Sequence, residues 1–327
     1  MSATHHNAPI PVTLLSGALG AGKTTLIKHL LGTPDYSIAI IENEFAPTSI
    51  DGELLGDDAA TVVPLSNGCI CCAAGDDLER ALITLVERRE RGELAFAHVI
   101  IECSGMADPG PIAQTLLSDA IFAAEYRLDG IVTLVDAVHA GKQLETPLHQ
   151  AQAGLADCII ITKTDCVEHT ALTTLQQRLG QLNQRACLHC ARFGQVPANE
   201  LLNLGGFELP SAPDALTFTP TLNASHQQHD RISSLVLNST QALSIESLTT
   251  FMDSLLSEHA HQLLRYKGIL SIAGHDERLV FQGVFGLYSF DWDRPWGDES
   301  RESVIVFIGE DLPAEKLNTL FQQALLS

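Results

Sequence analysis

Residues 11–32 read "PVTLLSGALGAGKTTLIKHLLG": a short apolar run, a break at glycines, and an amphipathic stretch ending in Gly32. That succession predicts strand, tight loop and helix. The loop Gly17-x-x-x-x-Gly22-Lys23-Thr24 fits the pattern in which glycines let consecutive backbone N–H groups turn inward around a β-phosphate. Gly17, Gly20, Ala21, Gly22 and Thr25 belong to this cradle. Lys23 is placed to reach the β- and γ-phosphates, the Thr24 hydroxyl to ligate Mg²⁺, and the helix N-terminus adds partial positive charge. A glycine-rich turn that binds nothing is the bland alternative, and the strand-loop-helix setting argues against it.

Two more apolar strands end in groups that complete a nucleotide site. "HVIIECSG" (98–105) ends in Glu102, where an acid can hold Mg²⁺ through water, followed by Ser104 and Gly105, whose N–H can touch the γ-phosphate. "DCIIITKTD" (157–165) ends in Thr162, Lys163 and Asp165. Paired acceptor oxygens on Asp165 match the N1–H and exocyclic amine of guanine, an edge that adenine does not present, while the Lys163 stem can lie over the base. This points to GTP rather than ATP. The usual motif begins with Asn, and Thr162 in its place weakens the base preference without removing it.

The formal net charge of −21, from 19 basic and 40 acidic residues, opposes broad attraction to nucleic acid or anionic lipid. The N-terminus lacks a basic leader and no run of 18 apolar residues occurs, so the expectation is a cytoplasmic chain that spans no membrane. Thiols stay reduced there, which bears on "GCICC" (68–72), where Cys69, Cys71 and Cys72 crowd together in a chain of eight cysteines. Spacing alone leaves three readings open: a metal site, a redox pair, or small apolar core residues.

"IENEFA" (41–46), "GCICC", "IECSGMADPGPI" (101–112), "LVDAVH" (134–139), "LLRYKGIL" (263–270) and "WDRPWGDESRESVIVFIG" (292–309) complete a pattern. Together they resemble the CobW/YjiA family of P-loop GTPases, from about Val12 to the final helix. The resemblance implies slow GTP hydrolysis and a transition metal, zinc or else cobalt or nickel, held at the Cys-x-Cys-Cys for delivery to a client metalloprotein. Zn²⁺ takes four ligands, so three cysteines need one more donor. Glu42, at the end of the strand after the first helix, is the preferred fourth, and Glu79 a weaker candidate. Where the family usually continues "NEFGE", this chain has Ala46 and Pro47, which should stiffen the segment. A non-enzymatic metal buffer, a redox-responsive thiol protein and an ATP-dependent enzyme are the competing readings, and the sequence is compatible with a homodimer.

The expected fold is α/β: a P-loop NTPase domain with a mainly parallel sheet over 11–203 after a flexible 1–10. A linker over 204–228 then leads to a smaller α+β domain over 229–327. In the last part, Ile245, Leu248, Met252, Leu255 and Leu256 recur at helical spacing behind Ser244 as N-cap, with strands around 231–238, 268–273, 278–284, 286–292 and 303–309. "ACLHCARFG" (186–194) places Cys187, His189 and Cys190 close together, but a strand splits them over two faces, so they read as ordinary strand residues. The scattered His226, His229, His259 and His261 read as surface residues. Trp292, Arg294 and Trp296 fit either a partner surface or a packed loop, and no role follows from them.

Overall fold

Of the eight residues of Ile10–Gly17, mostly apolar, all but Pro11 are buried, as in a strand covered on both faces. This strand, β1, leads through the glycine loop into α1 (Lys23–Leu31), which stops at Gly32. The structure, a computed structural model, describes residues 8–33, 36–42, 62–64, 75–118, 120–207 and 231–326. After α1 come β2 (Ile38–Glu42), β3 (Val62–Pro64), α2 (Gly75–Glu90), β4 (His98–Glu102), α3 (Gly110–Ser118), α4 (Ala120–Glu125) and β5 (Tyr126–Asp136). Then follow α5 (Ala140–Gln143), α6 (Pro147–Leu155), β6 (Cys158–Thr162), α7 (His169–Leu182) and β7 (Cys187–Cys190).

Among the described residues these seven strands form one sheet, ordered β3-β2-β4-β1-β5-β6-β7, and every pairing in it is parallel. Parallel pairing brings the carboxyl ends of the strands to one edge, where loops of an α/β sheet form ligand sites. Gly17, Glu42, Pro64, Glu102, Asp136 and Thr162 all end strands there. The core against α1 gathers Leu15, Leu26, Ile27, Leu30, Ile40, Ile100, Val132 and Ile160, all nearly or fully buried.

The remaining elements are β8 (Ile232–Ser239), α8 (Ile245–His259), β9 (Leu263–Ser271), β10 (Glu277–Val284), β11 (Leu287–Pro295), β12 (Ser303–Glu310) and α9 (Ala314–Leu326). The five strands make an antiparallel sheet ordered β11-β10-β9-β12-β8. α8 and α9 cover one face through Leu248, Phe251, Met252, Phe321 and Leu325, against Phe281, Ile305 and Phe307. α8 starts at Ser244 as expected, with a reciprocal Ser244–Ser247 capping box.

Two compact units result. One runs to Gln143 and adds Ala156–Leu175 and Ala186–Gly206; the other joins Leu144–Leu155 and Gln176–Arg185 to the described chain from Phe207 onward. α6 therefore belongs with the antiparallel sheet. A Cβ on its Gly154 would lie 3.0 Å from Ile232 and 3.3 Å from Ile308. Ile308 alternates with Phe307 along β12, so α6 covers the face opposite α8 and α9. Trp296 is buried on Ile269 and Val280 of this unit, whereas Trp292 is partly exposed and stacks on His275 at 4.2 Å.

Candidate functional site

The glycine loop adopts a conformation that side chains would obstruct. Gly17, Gly20 and Gly22 have φ of 129, 75 and 103°, in the region that favours glycine. A Cβ at Gly17 would lie 2.4 Å from the Leu134 carbonyl oxygen of the adjacent strand. The Lys23 ammonium, itself buried, folds back to donate to the Gly17 and Ala18 carbonyls at 2.9 and 3.3 Å, which holds it over the loop. Thr24 occupies the first turn of α1, directly after the loop.

Glu102 ends the neighbouring strand, and the Cys103 N–H donates to Leu15 at 2.8 Å. Beyond it Gly105 presses on the loop so closely that a Cβ there would sit 2.4 Å from the Leu19 nitrogen. Ser104 closes this turn by accepting from Ala107 at 2.9 Å. Burial pushes the Cys103 thiol up to about 12, with Lys23 opposing and Glu102 and Asp108 reinforcing the shift. That sulfur is fully buried in the core.

The third strand end is tied in by Thr162. Its hydroxyl donates to the Ala21 carbonyl at 2.8 Å, joining β6 to the phosphate loop. Lys163 adopts φ 55° and its ammonium donates to Asp136 at 2.6 Å. Burial works against ionisation of Asp136, but hydrogen bonds from Lys163, His139 and the Val138 N–H outweigh it and hold the carboxyl below the usual range. Asp165 stands exposed in the following turn.

Next to that turn is a cleft of about 360 Å³ lined by Thr164, Leu172, Cys190, Arg192 and Gln195. Its far wall, the loop after β7, escaped the sequence reading. The loop is bound to β6 by the Ala191 N–H, which donates to Ile161 at 2.8 Å. It touches α1 at Gly194, whose φ is 72° and whose added Cβ would lie 3.1 Å from Leu26 N. The turn-forming "RFGQ" was the available signal.

A model of the CobW/HypB/UreG nucleotide-binding domain matches residues 11–189, and one of the cobalamin synthesis protein cobW C-terminal domain matches 232–325. The chain belongs to the CobW family. Over 96% of its length it is 44% identical to the zinc chaperone YjiA of Escherichia coli (strain K12), with 98% of that relative covered. It is 33% identical to the zinc chaperone CobW of a Sinorhizobium species, over 94% of this chain and 95% of the relative. The crystal structure of the Zn(II)-bound YjiA GTPase from E. coli matches with a TM-score of 0.82 at 41% identity, covering 97% of this chain and 99% of the other.

In this CobW-family chain the cysteine cluster Cys69, Cys71 and Cys72 lies outside the described residues, as do Ala46, Pro47, His226 and His229. What leads into the cluster is described. Pro64, the last residue of β3, is the register partner of Glu42, and Glu42 is the register partner of Glu102. Both glutamates are buried, at 6% and 4% exposure, which brings two carboxylates to the edge that carries the phosphate loop. Glu79 lies partly buried on α2, with Leu78 beside it in the core.

Proposed function

We propose that this chain is a GTP-hydrolysing zinc carrier whose grip on the metal depends on the nucleotide. In this reading Lys23, Thr24 and the loop amides of Gly17, Gly20, Ala21, Gly22 and Thr25 bind GTP with Mg²⁺. Glu102, Ser104 and Gly105 respond to the γ-phosphate, and Thr162, Lys163 and Asp165 read guanine. Cys69, Cys71, Cys72 and Glu42 hold Zn²⁺ or a similar ion, Co²⁺ or Ni²⁺, as cargo for a client metalloprotein. A hydroxyl at Thr24 and a buried carboxylate at Glu102 suit a magnesium ion on the triphosphate.

The observation that supports this reading is the register Pro64–Glu42–Glu102 across three neighbouring strands. It sets one proposed metal ligand against the residue next to the γ-phosphate, so a shift at either is felt at the other. The zinc-chaperone names of relatives that match along nearly the whole chain agree with it.

Zn²⁺ and Co²⁺ titrations of the native chain and of Cys71→Ser, each with and without a non-hydrolysable GTP analogue, test the coupling. The expected result is a nucleotide-dependent metal affinity in the native chain, about 5- to 150-fold if the sites are coupled as allosteric pairs usually are. Cys71→Ser should lose the affinity and its nucleotide dependence together. Equal metal affinity in all four states would reduce the protein to a metal buffer that keeps nucleotide for other reasons.

A further inference from the structure

β6 and β7 run parallel with Cys158 opposite Cys187 and Ile160 opposite His189. Residues two apart on a strand share a face, so Cys187 and His189 point the same way, with Cys158 alongside on the next strand. The sulfurs of Cys158 and Cys187 and a ring nitrogen of His189 all lie within 4.8 Å of one another. Both thiols are free. The Glu200 carboxylate stands 3.0 Å from His189 Nδ1.

The geometry points to a second metal site, built by Cys158, Cys187 and His189 with Glu200 beside the imidazole, for a thiophilic divalent cation of the Zn²⁺ class. Zinc bonds of about 2.3 Å to sulfur and 2.0–2.1 Å to nitrogen put ligand atoms about 3.8 Å apart in a tetrahedral site. The trio therefore needs to close by about an ångström at most. Two thiolates and an imidazole prefer zinc, cobalt or copper(I) over magnesium or calcium, whose ligands are oxygens. Each thiol gives up its proton to solvent as its sulfur bonds the metal, and the imidazole binds neutral through one nitrogen. A carboxylate at hydrogen-bond distance from a ligating histidine fixes the ring and raises its basicity.

The site is open on one side. Cys158 is fully buried, His189 half-buried and Cys187 exposed, so an ion arrives past Cys187. It is also remote from the phosphate loop. Cys158 begins β6 and Thr162 ends it, four residues or about 13 Å along the strand. Cys158 thus lies at the opposite end of β6 from the strand ends that carry the phosphate loop.

The test uses the full chain with Cys69, Cys71 and Cys72 all changed to Ser, titrated with Co²⁺ under anaerobic, reducing conditions. One equivalent should bind with a thiolate-to-cobalt charge-transfer band and the strong visible absorption of four-coordinate cobalt, and Zn²⁺ should displace it. Adding Cys187→Ser, an exposed and structurally mild change, should abolish the charge-transfer band, and His189→Gln should weaken binding. Glu200→Gln should lower affinity about 10- to 100-fold, as loss of an outer partner does. Absence of the band in the triple-Ser protein, or a band of full strength after Cys187→Ser, would overturn the assignment. Since neither nucleotide nor residues 69–72 take part in this readout, its failure leaves the proposed GTP-linked carrier untouched.

Discussion

Thr162 stands where the guanine motif expected from the sequence usually begins with Asn. Its hydroxyl donates to the Ala21 carbonyl at 2.8 Å, so the position clamps the end of β6 to the phosphate loop. Thr162→Val keeps the shape and removes the donor, leaving the carbonyl without that bond. The expected cost is about 1 kcal/mol in stability, seen as a lower urea midpoint, together with weaker GTP binding. Thr162→Ser should retain both, and GTP affinity unchanged in the Val variant would show that the clamp is dispensable. In the proposed reading guanine selectivity rests chiefly on Asp165, which stands exposed next to the cleft at Thr164.

Helix α8 offers a cleaner case of local instruction. Ser244 accepts from the Ser247 N–H at 2.9 Å while the Ser247 hydroxyl accepts from the Ser244 N–H at 3.1 Å. Replacing Ser244 by Ala removes half of that reciprocal cap and should cost about 1 kcal/mol, read as earlier denaturant unfolding. Gly at the same position should cost only a few tenths. Such contiguous signals were legible in the sequence: the glycine loop, the capped helix, and the apolar strands ending in Glu102 and Thr162. Elements fixed by distant partners were not. α6 reads as one more helix of the parallel-sheet domain, yet its Gln150 side chain accepts from the Arg231 N–H, 81 positions away, and it packs on the antiparallel sheet. Cys158 looks like a core residue of a buried strand. Only the pairing of β6 with β7, with all of α7 between them in sequence, sets it opposite Cys187.

Stability of the folded chain should vary with pH through a buried link across its three central strands. The His98 imidazole lies 2.8 Å from the Thr13 hydroxyl, which donates to Asp129 at 3.1 Å. Burial lowers His98 from its ordinary 6.5 to about 4; Asp129 opposes this, and Arg127 adds to it. The unfolded chain therefore binds this proton more readily than the native one. The stabilising contribution is complete above about pH 6.5 and is lost as pH falls from there through 4, at most about 3 kcal/mol. Urea unfolding at about pH 7 and about pH 5 should show the drop, and His98→Gln should flatten that part of the profile. A slope unaltered by the substitution would assign the acid sensitivity to other groups. A different kind of fragility attaches to β2, whose five residues align with β4 without offset. Side chains alternate between faces, so one extra residue between Gly32 and Ile38 that slid this strand along its neighbour would swing Glu42 to the far side and put an isoleucine opposite Glu102. The count of residues joining the first helix to the second strand is thus part of the chemistry, and that joint tolerates changes of letter far better than changes of length.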